Sequence, residues 1–487
     1  MNGMTQRTVT LRATDPQARD IVEAAGLAER FAAIRADQEV PSDFPAEVIA
    51  EAERVGAEPL WLPTRDESET PFVTIDPPGS MDLDQALHIE RDEKGYRVRY
   101  AIAHLVSFVE PGGVIDAEAR QRGQTIYAPD ERIPLHPPVL SEGRASLLPD
   151  ALTPAYVWDL KLAEDGDCYD INLYSAMVRS AARLDYQQVQ DGIDDGSANE
   201  VLMLLKEVGQ LRVRLEQERG GATLPMPEQE VDDLGDGRYR LHLRPMLPVE
   251  EWNAQISLMT GMAAAQLMLH ARVGLLRTMP EPSAKTLAQL RRIANALDVA
   301  WAAEQTHGEF LRSLDRANPT HLALIHEATS LFRGAGYTAF DGELPELVEH
   351  SGLAAAYAHV TAPLRRLVDR FGLALCAAIC ADEPVPTWVR EALPRLPEIM
   401  AASDRVAGAV SRASTDAVEA ATLADRVGES FAAFVIDAPD GNDAVTVQLL
   451  DPPVIARASG SAELGREVTV RLEGVDLAQG SVTLTLT

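Results

Sequence analysis

Three aspartates crowd one short stretch, Thr74-Ile75-Asp76-Pro77-Pro78-Gly79-Ser80-Met81-Asp82-Leu83-Asp84-Gln85. Asp76 closes a run, PFVTID, that reads as a short β-strand, and Pro77-Pro78-Gly79 is a turn able to fold the chain back on itself. Asp82 and Asp84, two residues apart, share one face of an extended segment while Leu83 takes the other. The turn brings Asp76 to the same region. Carboxylates that converge away from water repel one another, and a hard divalent cation is the usual relief. An all-oxygen donor set favours Mg²⁺ or Mn²⁺. A calcium loop of the EF-hand type does not fit, because counted from Asp82 its fifth position is Ala86 and its sixth, normally glycine, is Leu87. The plain alternative is a solvated Asp/Pro/Gly loop.

The elements that must position these residues belong to a chain of 487 residues, long enough for two to four domains at roughly 150 residues each. At 46% hydrophobic and 24% charged residues the composition is that of a globular protein rather than a disordered one. No apolar run is long enough for a membrane helix, and the first residues carry no apolar signal core, so a cytoplasmic location with no membrane partner is expected. Three cysteines (Cys168, Cys376, Cys380) cannot build a disulfide framework or a zinc ribbon. The spacing of Cys376 and Cys380 on an apolar helix predicts core packing. The net charge of −31 argues by itself against nucleic-acid binding, which is normally carried by a basic footprint. Arginines are nevertheless dense in places, among them Arg120, Arg122, Arg132, Arg144, Arg365, Arg366 and Arg370. An arginine-lined channel inside an acidic shell reconciles the two, and solvated arginines are the alternative.

The expected fold class is α+β. Residues 1–65 read as a small helical domain, with helical spacing over 15–36 and 45–55. Residues 66–425 read as a mixed domain in which PFVTID, QALHIER and YRVRYAIAHLVSFV are strands. Helices are expected over 199–217, 251–277, 284–303, 318–333 and 354–382. Residues 426–487 carry five short β runs between turn residues, the pattern of a small OB-like barrel.

The acidic segment resembles the signature of the RNB-domain family, the class of 3′→5′ exoribonucleases that includes ribonuclease II and ribonuclease R. Its pattern of TIDP, a short turn and then D-x-D-D-A is matched by Thr74 to Asp76, Asp82, Asp84 and Ala86. Further elements follow in family order: Tyr100 to Ala103, Thr125 to Pro129, Ile133 to Pro137, His350 to Leu353, and Tyr357-Ala358-His359-Val360-Thr361-Ala362-Pro363-Leu364-Arg365-Arg366. The resemblance covers about residues 70–425, and the C-terminal strands are similar to the family's S1 domain.

The resemblance implies a Mg²⁺-dependent enzyme (Mn²⁺ being possible chemically) that hydrolyses single-stranded RNA processively from its 3′ end to nucleoside 5′-monophosphates. It assigns Asp76, Asp82, Asp84 and the neutral Gln85 to the metal, with Asp84 the critical ligand. Arg365 becomes the cation at the transition state, with an ion pair to Asp369 as the alternative. Arg366 would contact RNA phosphate or close the site. Tyr127 would stack on a base near the 3′ end, with a buried, satisfied hydroxyl as the alternative. The expected partner is RNA, and a monomer is expected.

The chain departs from the pattern at Gln85, where the family has a fourth acid, at His104 and at Leu367. About 65 residues precede the catalytic region, too few for the two cold-shock barrels usual in the family. His104 reads as structural. A fold that has lost activity through Gln85 and kept RNA binding is the rival reading, and a hydrolase of other phosphodiesters is the second. The terminal barrel has Phe431 and Phe434 as its aromatics and is acidic, so it is expected to guide RNA weakly or to pack on the catalytic domain.

Overall fold

The computed structural model describes residues 27–222, 228–233, 239–244, 246–315, 318–438 and 443–487. The helix expected over 15–36 therefore falls partly outside the described residues. Its remainder is α1 (Leu27–Asp37), followed by α2 (Ala46–Ala57). These helices join different cores. Leu27, Phe31 and Ile34 of α1 pack among residues of the C-terminal region, whereas Val48, Ala52 and Val55 of α2 pack against Leu105, Phe108, Leu140 and Leu364.

Five strands form a closed barrel: β1 (Asp66–Asp76), β2 (Gln85–Asp92), β3 (Gly95–Ala103), β4 (Leu152–Ala163) and β5 (Cys168–Asp185). Neighbours are antiparallel except β1 and β5, whose parallel pairing closes the barrel and sets Asp76 opposite Asp185. The expected long run over YRVRYAIAHLVSFV stops at Ala103, because His104 leaves the sheet and a short 3₁₀ turn, Leu105–Ser107, follows. One wall of the barrel is covered by α3 (Pro248–Ala271) and α4 (Leu367–Cys380), whose apolar faces share a core with Tyr100, Trp158 and Leu160.

Three of the expected helices are shorter than their composition suggests; the one expected over 284–303 ends at Ala296. The helix expected over 251–277 ends at Ala271, and Val273–Thr278 is a strand paired with Gly336–Asp341. The helix expected over 354–382 begins only at Leu367. Residues 357–366 run instead as a buried irregular segment against α3, where Ala358 donates its N–H to the Gly261 carbonyl at 3.0 Å. A Cβ on Gly261 would lie 2.1 Å from the Tyr357 ring, so only glycine permits this approach.

The last strands form a second closed barrel: β6 (Ser430–Asp437), β7 (Ala444–Leu449), β8 (Ile455–Ser459), β9 (Glu467–Asp476) and β10 (Ser481–Leu486), in the order β6-β7-β8-β10-β9. Alternation along the strands points Phe431, Ala433, Val435, Val445, Val447, Val470, Leu472 and Leu484 inward, as the period of two predicts. The same core takes in Val410, Ala417, Val418 and Leu423 of the long helix α5 (Leu396–Leu423), which joins the barrel to the rest of the molecule. Phe431 is buried in it rather than displayed as a stacking surface. The fold is therefore α+β with a terminal five-stranded barrel.

Candidate active site

The acidic segment has no regular secondary structure from residue 80 to 84 and enters β2 at Gln85. Gly79, at φ 81°, makes the turn that a residue with a Cβ would resist. The stretch is then held by a neighbouring segment. The Leu83 N–H donates to Ser146 Oγ at 2.9 Å, the Ser146 hydroxyl donates to the Met81 carbonyl at 2.6 Å, and the Leu147 N–H donates to the Leu83 carbonyl at 3.0 Å. Leu83 is fully buried on one side. Asp82 and Asp84 go to the other.

Three segments meet around these carboxylates. The Asp84 Oδ1 accepts the Leu364 N–H at 2.7 Å, and its Oδ2 lies 3.3 Å from Arg365 Nε. Asp82 is ion-paired with Arg132, which also reaches Glu142 at 2.5 Å. Arg132 and Tyr127 face each other in a two-stranded hairpin, Ile126–Tyr127 with Arg132–Ile133. That hairpin is tied to the arginine segment by the Thr125 N–H, which donates to the Arg365 carbonyl at 2.9 Å.

The electrostatics follow from burial. Asp84 is 3% exposed, and loss of solvent pushes its carboxyl well above the ordinary range. Arg365 opposes that shift, while the charges of Asp82 and Asp369 add to it. Burial likewise raises Asp76 to about 6, again with Arg365 opposing and Asp82 adding. The two arginines thus stand as counter-charges in a pocket with an excess of carboxylate. Arg365 Nε is buried and has no hydrogen-bond partner, since its approach to Asp84 is ionic but not aligned for a hydrogen bond.

Tyr127 leaves 41% of its surface exposed. Its hydroxyl is pushed up to about 12 by burial, with Asp82 and Asp84 adding to the shift and Arg365 opposing it. The ring of Tyr127 lies open at the edge of the acidic pocket, and the alternative of a wholly buried side chain does not hold.

Arg366 does not share this pocket. It is 1% exposed and forms a bidentate pair with Asp369, at 2.9 Å from Nε and 2.8 Å from Nη2. Asp369 also accepts the Ala362 N–H at 2.7 Å, so the pair shapes the loop that presents Arg365. The expectation that Arg366 touches RNA is corrected by this burial, and the ion pair to Asp369 considered for Arg365 belongs to its neighbour. Removing one member of a buried pair strands the other charge. Arg366→Ala should therefore cost about 3–5 kcal/mol of stability in a urea melt; a loss under about 1 kcal/mol, the scale of an exposed pair, would show that the pair does not hold the loop.

Gln85 is engaged at both ends of its amide. Its Oε1 accepts from the Tyr100 hydroxyl at 2.6 Å, and its Nε2 donates to the Thr361 carbonyl at 2.6 Å. His104 is structural: burial lowers it to about 3, and its ring nitrogens bond Ser107 and Ser175 at 2.9 and 3.1 Å. Cys376 is buried in the core and Cys380 is half-buried beside it. In the sequence Arg132 is only one of the clustered arginines, and its pairing with Asp82 is not foreseen there. Its position three residues past Pro129 of the Tyr127-Ala128-Pro129 turn was the available signal.

Asp76, Asp82 and Asp84 supply an oxygen-only, mutually repelling donor set, which is the chemistry a hard divalent cation satisfies. Among the described residues no three such side chains are drawn close enough to enclose an ion as they lie, with Asp82 and Asp84 each held by an arginine. The donor set fits the ion, and the arginines take up part of its charge.

A five-stranded barrel carrying this acidic turn, with an arginine segment packed across it, is the arrangement of an RNB domain, and residues 64–375 match the RNB domain family model. The chain belongs to the RNB family. Residues 429–487 match the RNase II-type exonuclease C-terminal S1 domain. The chain is 30% identical over 351 residues to the exosome complex exonuclease RRP44 homolog A of Arabidopsis thaliana, covering 68% of this chain and 37% of that protein. It is 28% identical over 319 residues to ribonuclease R of Escherichia coli, covering 62% and 38%. The chain thus spans little more than a third of the length of these relatives. Among solved structures, apo RNase R of Mycoplasma genitalium superposes with a TM-score of 0.82 at 19% identity, over 94% of this chain and 77% of that one. The yeast pseudonuclease Ssd1 superposes with a TM-score of 0.72 at 16% identity, over 92% and 56%. At these identities the likeness is one of fold.

Proposed function

We propose that the protein is a cytoplasmic 3′→5′ exoribonuclease that hydrolyses single-stranded RNA processively to nucleoside 5′-monophosphates with Mg²⁺. The observation that carries this reading is the buried Arg365 Nε–H, which has no hydrogen-bond acceptor, lies 3.3 Å from Asp84, and feels the charge of Asp76 and the half-open Tyr127 beside it. An unsatisfied buried donor is costly, and a phosphate oxygen is an acceptor that would satisfy it. The division into residues 1–65, 66–425 and 426–487 belongs to the same proposal, with the middle part carrying the chemistry.

Asp76, Asp82 and Asp84 would hold Mg²⁺, which when bound supplies Lewis-acid stabilisation to a phosphodiester. The chain's own residues supply the rest. Arg365 donates to the phosphate and stays charged throughout, as only a guanidinium does reliably. Arg132 holds Asp82 in place. Tyr127 stacks on a terminal base, and stacking accepts any base because each presents a π-face. The terminal barrel, with Phe431 inside it, acts by packing more than by gripping RNA.

The test is single-stranded RNA labelled at the 5′ or the 3′ end, incubated with the protein and Mg²⁺, with EDTA, DNA and a duplex bearing a 3′ overhang as controls. Immediate release of labelled mononucleotide from the 3′ end is expected. Retained binding without cleavage would favour a pseudonuclease. Tyr127→Ala should lose about 1–3 kcal/mol of grip on short RNA, the worth of one stacked base. Short intermediates would then dissociate early and the residual oligonucleotide would lengthen on a sequencing gel. An unchanged end product would place Tyr127 away from the RNA.

A further inference from the structure

Gln85 stands where the RNB pattern has an acid, and its surroundings account for an amide rather than a carboxylate. It opens β2, opposite Ile102 of β3. The Thr361 carbonyl can only accept, so the group 2.6 Å from it must be the amide nitrogen. That fixes the orientation of the side chain and turns Oε1 toward Tyr100. The Tyr100 hydroxyl, 2.6 Å away, spends its one proton on Oε1, and the Ser257 hydroxyl lies 2.7 Å from the same tyrosine oxygen. Tyr100 is 1% exposed, so the chain of bonds runs through the interior.

The three partners sit on three different elements. Tyr100 is on β3, Ser257 on α3, and Thr361 on the segment that carries Leu364 and Arg365 to Asp84. An ionised carboxylate at position 85 would accept from Tyr100 but would oppose the Thr361 carbonyl with a second acceptor. An amide satisfies both at once.

We propose that Gln85 is a positioning residue and not a metal ligand: its amide, oriented by Tyr100 and Ser257, braces the acidic turn against the segment that presents Arg365. This rests on the reading of Asp76, Asp82, Asp84 and Arg365 as a nuclease site. The charge facing the metal is that of three aspartates, and the role of the missing fourth acid is taken over by registry between β2 and residues 361–365.

The experiment uses the full chain with two neutral substitutions. Gln85→Met keeps the length and removes every hydrogen bond of the amide, the longer one from the Ser257 hydroxyl at 3.4 Å included; Tyr100→Phe removes only the tyrosine hydroxyl that donates to it. Melting temperature is measured without metal and across a Mg²⁺ titration, and kcat and KM are measured on single-stranded RNA. A brace predicts that both variants melt lower than wild type without metal. The Mg²⁺ midpoint of the melting shift should stay within about twofold of wild type, because the bonds of Gln85 run to Thr361, Tyr100 and Ser257 and not to Asp76, Asp82 or Asp84; even a group that only supports a ligand costs about tenfold or more when lost. In Gln85→Met, kcat should fall about 100-fold with KM little changed, the cost of displacing a reacting group by about 1 Å. Tyr100→Phe should show a smaller fall of the same kind. In an Arg365→Ala background Gln85→Met should cost little further, because its effect runs through Arg365.

A metal ligand predicts otherwise: a Mg²⁺ midpoint raised tenfold or more in Gln85→Met, activity recovered at high Mg²⁺, and a silent Tyr100→Phe. Either that pattern or two variants indistinguishable from wild type overturns the proposal. Failure of the wild-type protein to degrade RNA would refute the nuclease reading instead, and the metal-free melting and Mg²⁺ arms would still decide the brace.

Discussion

Arg365→Ala should lower kcat on single-stranded RNA about 10³-fold or more, the scale on which arginines supplied to phosphoryl transfer act. RNA affinity should fall far less, because the guanidinium acts most strongly where charge builds on the phosphate. The structural basis is the unpartnered Nε–H and the 3.3 Å approach to Asp84. Single-turnover kinetics beside fluorescence anisotropy separate the two effects. A loss confined to affinity, with kcat intact, would recast Arg365 as a phosphate anchor. Its removal also takes away the cation that restrains Asp76 and Asp84, so both carboxyls should move further upward. Arg365→Lys keeps the charge but loses the planar fork, and should recover little of the rate if geometry matters as much as charge.

The second large effect is expected at Asp84. Asp84→Asn preserves size and can still accept the Leu364 N–H, but it removes a charge and can turn an N–H₂ toward Arg365. Turnover should fall by about 10²–10³-fold, as when one preorganised electrostatic group is lost from a buried site, while RNA remains bound. Near-normal turnover at saturating Mg²⁺ would remove Asp84 from the chemistry. Because Asp84 and Arg365 are in contact, the double variant should be less impaired than the product of the single losses. Additive losses would mean that the contact seen here is not part of the active arrangement.

Much of this site was legible along the chain because its logic is local. The two-residue spacing of Asp82 and Asp84 puts both on one face of any extended segment. The structure shows that segment pinned by Ser146 and Leu147 with Leu83 on the opposite side. The five strands of the terminal barrel follow from alternation and turn residues, which are also local. The ordered motifs pointed to the RNB family, and the match over residues 64–375 agrees.

The sequence by itself determined the acidic turn, the strands of the terminal barrel and the family; strands β4 and β5 of the first barrel emerged only in the structure. Tertiary structure decided which neighbouring side chain faces the site. Arg365 and Arg366 are chemically identical neighbours. Helical spacing offered Asp369 to Arg365, but the helix starts at Leu367 and Arg366 is extended, with φ −132° and ψ 126°. The two arginines therefore diverge, and Asp369 takes Arg366. The same holds for the Thr361 carbonyl beside Gln85, 276 residues away, and for Arg132 beside Asp82, 50 residues away. A composition rich in alanine and leucine favoured helix over 251–277, yet pairing with Gly336–Asp341 made Val273–Thr278 a strand. Periodicity records which face of an element is buried; it carries no record of the distant segment that will be packed there, and that segment fixes the partners of each buried charge.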